Sequence, residues 1–369
     1  MIEEAAYSNA HLWVVIMAGG NGSRFWPMSN PDSPKQFLDV LGVGKTLLEM
    51  TFDRMTRVCQ RDHVVIVTGE NYVDRVRALL PDLQPYQVLG EPMRRNTAPC
   101  IAYAASIIGA IDPDAVLIVT PSDHAIFRTA RFVSDLQQAV TVASAHDWIV
   151  TLGARPVRPD TSYGYIQFKE ESSLPGADDL HPVITFTEKP PVDLARQFIA
   201  TGEFFWNAGI FVWSLKVLKE AYEKYLPNVV RDMFALNTST PHDELERVYS
   251  QTEAISVDNG IMEKASNVHV MAASFDWSDI ETWDTLYDVL PRDLQGNAVL
   301  GKAGVFLYDT TNTIVSTPDA LGKTVVVEGL DGYIVAANND TIMVCRRTSE
   351  EQIFRFVSDV DLKKMMENK

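Results

Sequence analysis

A glycine-rich loop followed by basic residues is the strongest chemical signal in this sequence. The segment Met17-Ala-Gly-Gly-Asn-Gly-Ser-Arg24 comes directly after a run of apolar residues. Glycines let the backbone approach a ligand closely and direct its N–H groups at phosphate oxygens, and Arg24 adds a positively charged fork. Lys35 follows eleven positions later and is placed to fold back onto the same anion. The pattern therefore predicts an anion-binding loop, with a tight strand-to-helix turn as the alternative.

Two other phosphate-binding motifs are excluded by single residues. The dinucleotide fingerprint G-x-G-x-x-G needs a third glycine, but Phe25 stands at that position. Gly44-Lys45-Thr46 resembles the end of a P-loop, but the P-loop needs glycine at position 39, where this chain has aspartate. Only the first loop is kept as a candidate.

Apolar runs of strand length recur through roughly the first 210 residues, with segments of helical spacing between them. Such runs are typical of strands buried on both faces of a mainly parallel sheet. The alternation predicts a Rossmann-like, doubly wound α/β domain that binds its ligands beyond the carboxyl ends of the strands. The predicted strands are 13–18, 64–68, 116–120 and 148–153, and the predicted helices are 46–59 and 96–110.

The pattern changes twice along the rest of the chain. Between about 163 and 274, strands and helices mix, which we interpret as an insertion that extends the same domain. A helix is predicted over 278–289. Beyond it, short β-type pieces separated by Gly, Asn and Asp predict a small all-β region. We therefore expect a large α/β domain over 1–290 and a small β-rich domain over 295–369.

Composition and charge limit the classes of function. With 46% hydrophobic and 22% charged residues, the chain has the balance of a folded protein. A net charge of −17 argues against nucleic acid and anionic membranes as partners, although the first hundred residues are almost neutral. The three cysteines are too few and too scattered for a disulfide framework, and the acidic start of the chain is unlike a signal peptide. We expect a cytoplasmic protein that binds no nucleic acid and no membrane.

The ordered set of motifs resembles the sugar-1-phosphate nucleotidyltransferase family, in the form found in mannose-1-phosphate guanylyltransferases. The similarity is close over about 13–285 and loose over the β-rich tail, for which it implies a short β-helix-like fold. The matching segments, in chain order, are GGNGSRFWP with SPKQFL, EPMRRNTAP (91–99), PSDH (121–124), YGYI (163–166), FTEKP (186–190), WNAG (206–209), SVD with MEK (256–264) and WSD (277–279).

This resemblance implies a reaction between two phosphate-bearing substrates, GTP and mannose 1-phosphate. A sugar phosphate oxygen attacks the α-phosphorus of GTP, and pyrophosphate leaves. The nucleophile is already an anion, so the protein must mainly hold two anions together and neutralise their charge. The implied catalytic residues are Arg24, Lys35, Asp123 and Asp279, of which the two aspartates are also the implied ligands of Mg²⁺, an ion that prefers oxygen donors.

The resemblance also implies how each substrate is recognised. Guanine offers two neighbouring N–H donors, and a carboxylate that accepts both discriminates against adenine, a role that falls to Glu91. The sugar hydroxyls and sugar phosphate require polar side chains and a close backbone approach. The implied GTP-binding residues are Gly19, Gly20, Gly22, Ser23, Arg24, Lys35, Glu91, Asn96 and Thr97, and the implied sugar-phosphate-binding residues are Gly164, Glu188, Lys189 and Asn207.

Each of these assignments has a structural alternative. Asp123 and Asp279 each stand where a helix N-cap or a turn-forming residue is the alternative. Glu91-Pro92 is alternatively a surface turn beside two solvated arginines, and Glu188 and Lys189 are alternatively a surface ion pair.

Two alternative functions also stay open. One is a nucleotidyltransferase with another base or sugar, and the other is a nucleotide-sugar-sensing subunit that does not catalyse. The family further implies a possible homodimer through the C-terminal domain.

Overall fold

The structure is a computed structural model that describes residues 10–20, 25–174, 177–301, 304–317 and 324–367. Three of the predicted GTP-binding residues, Gly22, Ser23 and Arg24, lie outside this range. The contacts divide the chain into two compact units. The first contains the described residues of Met1–Gly19, Thr51–Ser122 and Ile126–Trp277, and the second those of Gly20–Met50, Asp123–Ala125 and Ser278–Lys369.

Strands and helices alternate through the described chain. In chain order the strands are β1 Leu12–Met17, β2 Val64–Gly69, β3 Val88–Glu91, β4 Val116–Pro121, β5 Ala125–Ile126, β6 Ile149–Ala154, β7 Tyr165–Phe168, β8 Leu180–Thr187, β9 Phe204–Ser214, β10 Val268–Ala272, β11 Trp277–Ser278, β12 Ala298–Leu300, β13 Val305–Tyr308, β14 Ile314–Ser316, β15 Val325–Glu328, β16 Tyr333–Ala337 and β17 Ile342–Arg346. The helices are α1 Leu47–Met55, α2 Val73–Leu79, α3 Thr97–Ile111, α4 Thr129–Ala145, α5 Val192–Thr201, α6 Leu215–Tyr225, α7 Pro227–Met233, α8 His242–Gln251, α9 Trp283–Val289 and α10 Ile353–Glu367.

The first unit is built on a nine-stranded sheet with the order β3-β2-β1-β4-β9-β6-β10-β8-β7. Strands β3, β2, β1 and β4 are mutually parallel, whereas β9 runs antiparallel to both of its long neighbours, β4 and β6. This confirms the expected α/β fold with a mixed sheet. Because β1, β3 and β4 are parallel, their carboxyl ends meet at one edge, where the segments that follow them begin.

The apolar runs form strands because the sheet is covered on both faces. Every residue of β1 from Leu12 to Ile16 is buried, and β6 is buried throughout. Helix α3 is buried along nearly its whole length, since its small and aliphatic residues, such as Ala102 and Ile108, pack into the main core of this unit. The predicted strands at 64–68 and 116–120 and the predicted helix at 96–110 are confirmed within a residue or two.

The second unit gathers three separate stretches of chain around one core. Its β-rich part has β12, β14 and β16 side by side and parallel, with β17 antiparallel at one edge, and β13 parallel to β15. Parallel strands stacked in this way agree with the expected β-rich, β-helix-like region. The core of the unit draws on all three stretches, with members that include Phe25, Leu47, Ala125, Trp283 and Ile334.

One predicted helix begins later than expected. The sequence predicted a helix over 278–289, but α9 begins at Trp283 and is capped by Thr282, whose hydroxyl accepts a hydrogen bond from the Thr285 amide (3.2 Å). The residues before the cap cannot be helical, because Ile280 has a positive φ of 41°. Among the helices of the described ranges, none is both long and apolar enough to cross a membrane.

Candidate active site

Backbone hydrogen bonds fix the carboxyl edge of the sheet where the candidate residues leave the strands. The amide of Ser122 donates to the carbonyl of Met17 (3.1 Å), so the ends of β4 and β1 are joined. From α1, the hydroxyl of Thr51 donates to the Ser122 carbonyl (3.2 Å). The peptide that precedes Asp123 is therefore held from both sides.

The described part of the glycine-rich loop leaves space beside its backbone. A Cβ placed on Gly19 meets no described atom within 4 Å, and one on Gly20 would lie 3.6 Å from the side-chain oxygen of Gln36. The excluded P-loop is a different structure. Both carboxylate oxygens of Asp39 already accept backbone hydrogen bonds there, from the amides of Val43 (2.9 Å) and Gly44 (2.6 Å). A carboxylate thus occupies the position that a phosphate would need.

Lys35 joins the two predicted catalytic aspartates within the second unit. Its ammonium nitrogen lies 2.9 Å from Oδ2 of Asp123 and donates to the backbone carbonyls of Asp279 (3.4 Å) and Ile280 (3.1 Å). Both side chains are largely shielded, with exposed fractions of 13% for Lys35 and 25% for Asp123. Burial raises the pKa of the Asp123 carboxyl, but the charges of Lys35 and His124 and the Lys35 hydrogen bond bring it below its ordinary value. Asp123 is therefore an anion at neutral pH.

The alternative that these aspartates are helix caps is contradicted. Helix α4 begins at Thr129 after Arg128, and α9 begins after Thr282, so neither aspartate stands at the start of either helix. Ile280 keeps its unfavourable left-handed backbone because its side chain is fully buried in the core of this unit and its carbonyl accepts from Lys35. A strained backbone next to Asp279 is typical of a functional position.

The cluster around Lys35 contains one of the two carboxylates that the motifs predict as metal ligands. The cluster brings together a carboxylate from Asp123 and the backbone of Asp279, and carboxylate oxygens are donors that Mg²⁺ prefers. Among the described residues there is no group of three or more His, Cys, Asp or Glu side chains suited to a metal. A site with two carboxylates and phosphate oxygens from the substrates is the usual arrangement for Mg²⁺.

Glu91 ends β3 as a buried carboxylate, which contradicts the surface-turn alternative. Only 9% of the residue is exposed, and the hydroxyl of Tyr249 donates to its Oε1 (3.2 Å). Burial raises the pKa of Glu91 to about 7, against the opposing effects of the Tyr249 hydrogen bond and the Arg94 charge. Carboxylates of this kind are rare outside functional sites, because burial without a strong partner is costly.

The segment after Glu91 is tied to the end of α8. Arg95 is not a solvated arginine, because it donates to the carbonyls of Tyr249 (2.8 Å) and Ser250 (2.9 Å). Asn96 caps α3 with a positive φ of 68°, and its side chain accepts from the Thr97 amide (2.9 Å). The Thr97 hydroxyl accepts from the amide of Val257 (2.9 Å), so it holds the backbone of a distant segment.

The predicted sugar-phosphate residues of the first unit converge. A Cβ on Gly164 would lie 2.6 Å from Oε2 of Glu188, and the amide of Asn207 donates to the Gly164 carbonyl (2.8 Å). Lys189, with a positive φ of 45°, has its ammonium nitrogen 3.8 Å from Oε1 of Glu188. The ion pair considered as an alternative therefore exists, and it lies at the place where the predicted sugar residues meet.

Asp258 joins this group and was not assigned from the sequence. Nδ2 of Asn207 donates to its Oδ1 (2.8 Å), and Asp258 begins a single π-helical turn, Asp258–Met262. Burial raises the pKa of Asp258, while the Asn207 hydrogen bond and the Lys189 charge oppose this shift. Its only sequence signal was membership of the SVD motif, because the contact joins residues that lie 51 positions apart.

Comparisons with known proteins agree with the motifs. The nucleotidyl transferase family matches residues 13–296. The chain is 32% identical to the alginate biosynthesis protein AlgA of Pseudomonas aeruginosa, over 94% of this chain and 72% of that protein. It is 33% identical to a mannose-1-phosphate guanylyltransferase of Sinorhizobium fredii, over 93% of this chain and 66% of that protein, so about a third of that relative has no counterpart here.

A solved structure extends the agreement to the fold. The crystal structure described as a mannose-1-phosphate geranyltransferase from Thermus thermophilus superposes with a TM-score of 0.85 and 29% identity, over 95% of this chain and 99% of that one. The family resemblance predicted from the ordered motifs is thereby confirmed. The chain belongs to the nucleotidyl transferase family.

Proposed function

We propose that the chain transfers GMP from GTP to α-D-mannose 1-phosphate, with GDP-mannose and pyrophosphate as products. The observation that carries the proposal is the Lys35 cluster, in which one ammonium group holds an ionised Asp123 together with the backbone of Asp279. A sensing protein that only binds its ligand has no need of this arrangement. Relatives named mannose-1-phosphate guanylyltransferase support the choice of substrates.

The reaction requires positioning and charge neutralisation rather than a general base. An oxygen of the sugar phosphate forms a bond to the α-phosphorus of GTP while the bond from this phosphorus to the bridging oxygen breaks, and pyrophosphate carries away the electron pair. Asp123 and Asp279 would hold Mg²⁺, which when bound supplies positive charge to the phosphate oxygens. Lys35 orients Asp123, and Arg24, Gly19, Gly20, Gly22 and Ser23 are proposed to bind the triphosphate.

Base and sugar recognition are assigned to the first unit. We assign the two N–H donors of the guanine edge to the Glu91 carboxylate, with Asn96 and Thr97 shaping the backbone beside it. The sugar phosphate is assigned to Lys189, and the sugar hydroxyls to Glu188, Asn207 and the newly placed Asp258. Glycine at position 164 leaves room for Glu188, because a Cβ there would lie 2.6 Å from its Oε2.

Pyrophosphate release measures the proposed reaction directly. The enzyme is supplied with Mg²⁺ and each of GTP, ATP, UTP and dTTP, in combination with mannose 1-phosphate and glucose 1-phosphate. We expect the fastest release with GTP and mannose 1-phosphate. Preference for UTP or dTTP would overturn the guanine assignment, and binding of GDP-mannose without turnover of any pair would favour the sensing subunit.

Two properties of the whole protein are also proposed. We place it in the cytoplasm, since its three cysteines are buried free thiols, as is typical of a reducing compartment. We propose a homodimer through the β-rich region, where Phe306, Val326, Ile342 and Val344 expose large apolar surfaces. Light scattering on the full chain is expected to give twice the monomer mass, and the monomer mass would refute the dimer.

A further inference from the structure

We propose that Tyr249 is a positioning residue for base recognition, whose hydroxyl holds the Glu91 carboxylate in place for the guanine edge. The inference rests on the proposed role of Glu91 in reading guanine. It adds a residue from α8, 158 positions away in the sequence, whose side chain reaches the base only through Glu91. Nothing in the sequence distinguishes this tyrosine from an ordinary core residue.

The geometry around Tyr249 favours a specific role for its hydroxyl. The side chain is fully buried, and the hydroxyl donates to Oε1 of Glu91 at 3.2 Å. The ring packs edge-on against Tyr103 of α3, with 5.9 Å between ring centroids. Because both rings are buried in the core, the Tyr249 oxygen is held beside one carboxylate oxygen of Glu91. A hydrogen bond to a buried charge is stronger than one in water.

The backbone that carries Tyr249 is also fixed. Arg95 donates to the carbonyls of Tyr249 and Ser250 at the end of α8, where a cation is favoured by the helix dipole. In return, the amide of Ile255 donates to the Arg95 carbonyl (3.2 Å). The segment that follows Glu91 is therefore hydrogen-bonded to the end of the helix that bears Tyr249 and to the chain just after that helix, which holds the hydroxyl near the carboxylate.

Burial and the groups that face Glu91 act in opposite directions on its pKa, which lies close to neutral pH. Tyr249 faces it from α8, Cys100 and Tyr103 face it from α3, and Arg94 faces it from the following loop. Burial raises the pKa values of the thiol and of both phenols, so these groups are neutral near pH 7. The pKa of Glu91 lies at about 7, and the Tyr249 hydroxyl and Arg94 are the groups that favour its charged form.

Removal of the Tyr249 hydroxyl should therefore change the pKa of Glu91 in one predictable direction. Tyr249→Phe withdraws a donor from the ionised carboxylate, so the pKa of Glu91 rises and less of it is ionised at pH 7. Guanine needs the ionised form, because a protonated carboxyl group loses an acceptor. Because the pKa of Glu91 rises above its wild-type value of about 7, the Kd for GTP should increase severalfold at pH 7 and approach the wild-type value at pH 8.5. The kcat is expected to change little.

The experiment measures GTP affinity by titration calorimetry and KM by pyrophosphate release, between pH 6 and 9. Tyr222→Phe is the matched control, since this tyrosine is also fully buried but donates to the Ala98 carbonyl (2.7 Å) instead. It should lower stability without a change in the pH profile. Glu91→Gln should bind GTP weakly and lose the part of the pH profile that wild type owes to this carboxylate.

The outcomes separate the inference from the proposed function. If Tyr249→Phe has the same pH profile of GTP affinity as wild type while Glu91→Gln binds GTP weakly, the inference is overturned and the base assignment stays intact. Wild-type GTP affinity and base preference in Glu91→Gln would instead refute the base assignment. If Tyr249→Phe fails to fold, 3-fluorotyrosine at position 249 replaces it. 3-Fluorotyrosine keeps the aromatic ring, and its hydroxyl is a stronger hydrogen-bond donor, so the pH profile of GTP affinity should move to lower pH. An unchanged profile would count against the inference.

Discussion

The ammonium group of Lys35 lies 2.9 Å from Oδ2 of Asp123, and the same nitrogen donates to the backbone carbonyl of Ile280, next to Asp279. One side chain thus fixes the carboxylate of one proposed metal ligand and the backbone of the other. The ion pair is largely shielded from solvent, so it is screened far less than a surface pair. It holds the two acidic residues in place before any substrate arrives.

Loss of the Lys35 charge should impair catalysis strongly. Lys35→Met leaves Asp123 without its cation and Ile280 without its donor, so we expect kcat/KM to fall by at least about 100-fold. Lys35→Arg should recover part of this loss. Lys45→Met serves as the control, because Lys45 is exposed in the excluded P-loop segment, and its kcat/KM should stay near wild type. Pyrophosphate release gives the values, and full activity of Lys35→Met would contradict its role.

The two aspartates should be needed for turnover but not for folding. Asp123→Asn and Asp279→Asn each remove a carboxylate proposed to hold the metal, so we expect losses of at least about 1000-fold in kcat. EDTA should abolish wild-type activity, and Mg²⁺ should restore it. Asp276→Asn is the matched control, since this exposed aspartate pairs with Arg128 and should stay active. Circular dichroism checks the fold, and near-normal turnover of Asp279→Asn would refute its metal role.

Glu91 should lower the stability of the free protein at high pH. Its pKa is raised from 4.5 to about 7, so the folded protein binds this proton more tightly than the unfolded chain does. The free energy of unfolding then falls as pH rises from about 4.5 to 7, by at most about 3 kcal/mol. The free energy of unfolding of Glu91→Gln should therefore equal that of wild type near pH 5 and exceed it at pH 8. Urea unfolding at both pH values tests this prediction. If variant and wild type differ by the same free energy at both pH values, Glu91 does not titrate as described.

The contact between Asn207 and Asp258 should serve the sugar substrate alone. Asp258→Asn replaces a carboxyl group among the predicted sugar-binding residues, so we expect KM for mannose 1-phosphate to rise about tenfold or more while KM for GTP is unchanged. Asn259→Ala is the control, because this neighbour is exposed and hydrogen-bonds with Ser256 and Glu263. A rise of both KM values would indicate a general structural effect and would contradict the sugar role.

Gly164→Ala should weaken binding of mannose 1-phosphate, because it displaces the Glu188 side chain. The new Cβ would lie 2.6 Å from Oε2 of Glu188, which must rotate away because real contacts are never so short. The affected atom is the end of a flexible side chain, so the fold should survive with a loss of about 1 kcal/mol, the low end for an added methyl group. KM for mannose 1-phosphate should rise severalfold. Gly304→Ala, whose nearest contact would be an ordinary 3.6 Å, should leave both KM values unchanged.

Local patterns in the sequence predicted much of the fold. The buried strands β1 and β4 were evident because a strand covered on both faces is apolar throughout. The start of α9 was missed because Ser278 and Asp279 look like a helix cap, whereas burial of Ile280 in a left-handed conformation delays the helix to Trp283. Such a strained residue is imposed by long-range packing, which no local pattern reports.

The candidate site was predictable in its residue types but not in its pairings. The motifs pointed to Lys35 and Asp123, but their ion pair depends on how segments 88 positions apart meet. No motif pointed to Tyr249, which lies 158 positions from Glu91. Its contact with Glu91 depends on how these two distant segments meet, and Arg95 joins the same segments by donating to the Tyr249 carbonyl.

The core of the second unit has a consequence for the order in which the protein matures. Leu47 and Ala125, which lie on the stretches that carry Lys35 and Asp123, share that core with Ile334 and Ile353 near the end of the chain. During synthesis these early stretches must wait for hydrophobic partners that are made much later. The core beside Lys35 and Asp123 can therefore close only after Ile334 and Ile353 have been synthesised.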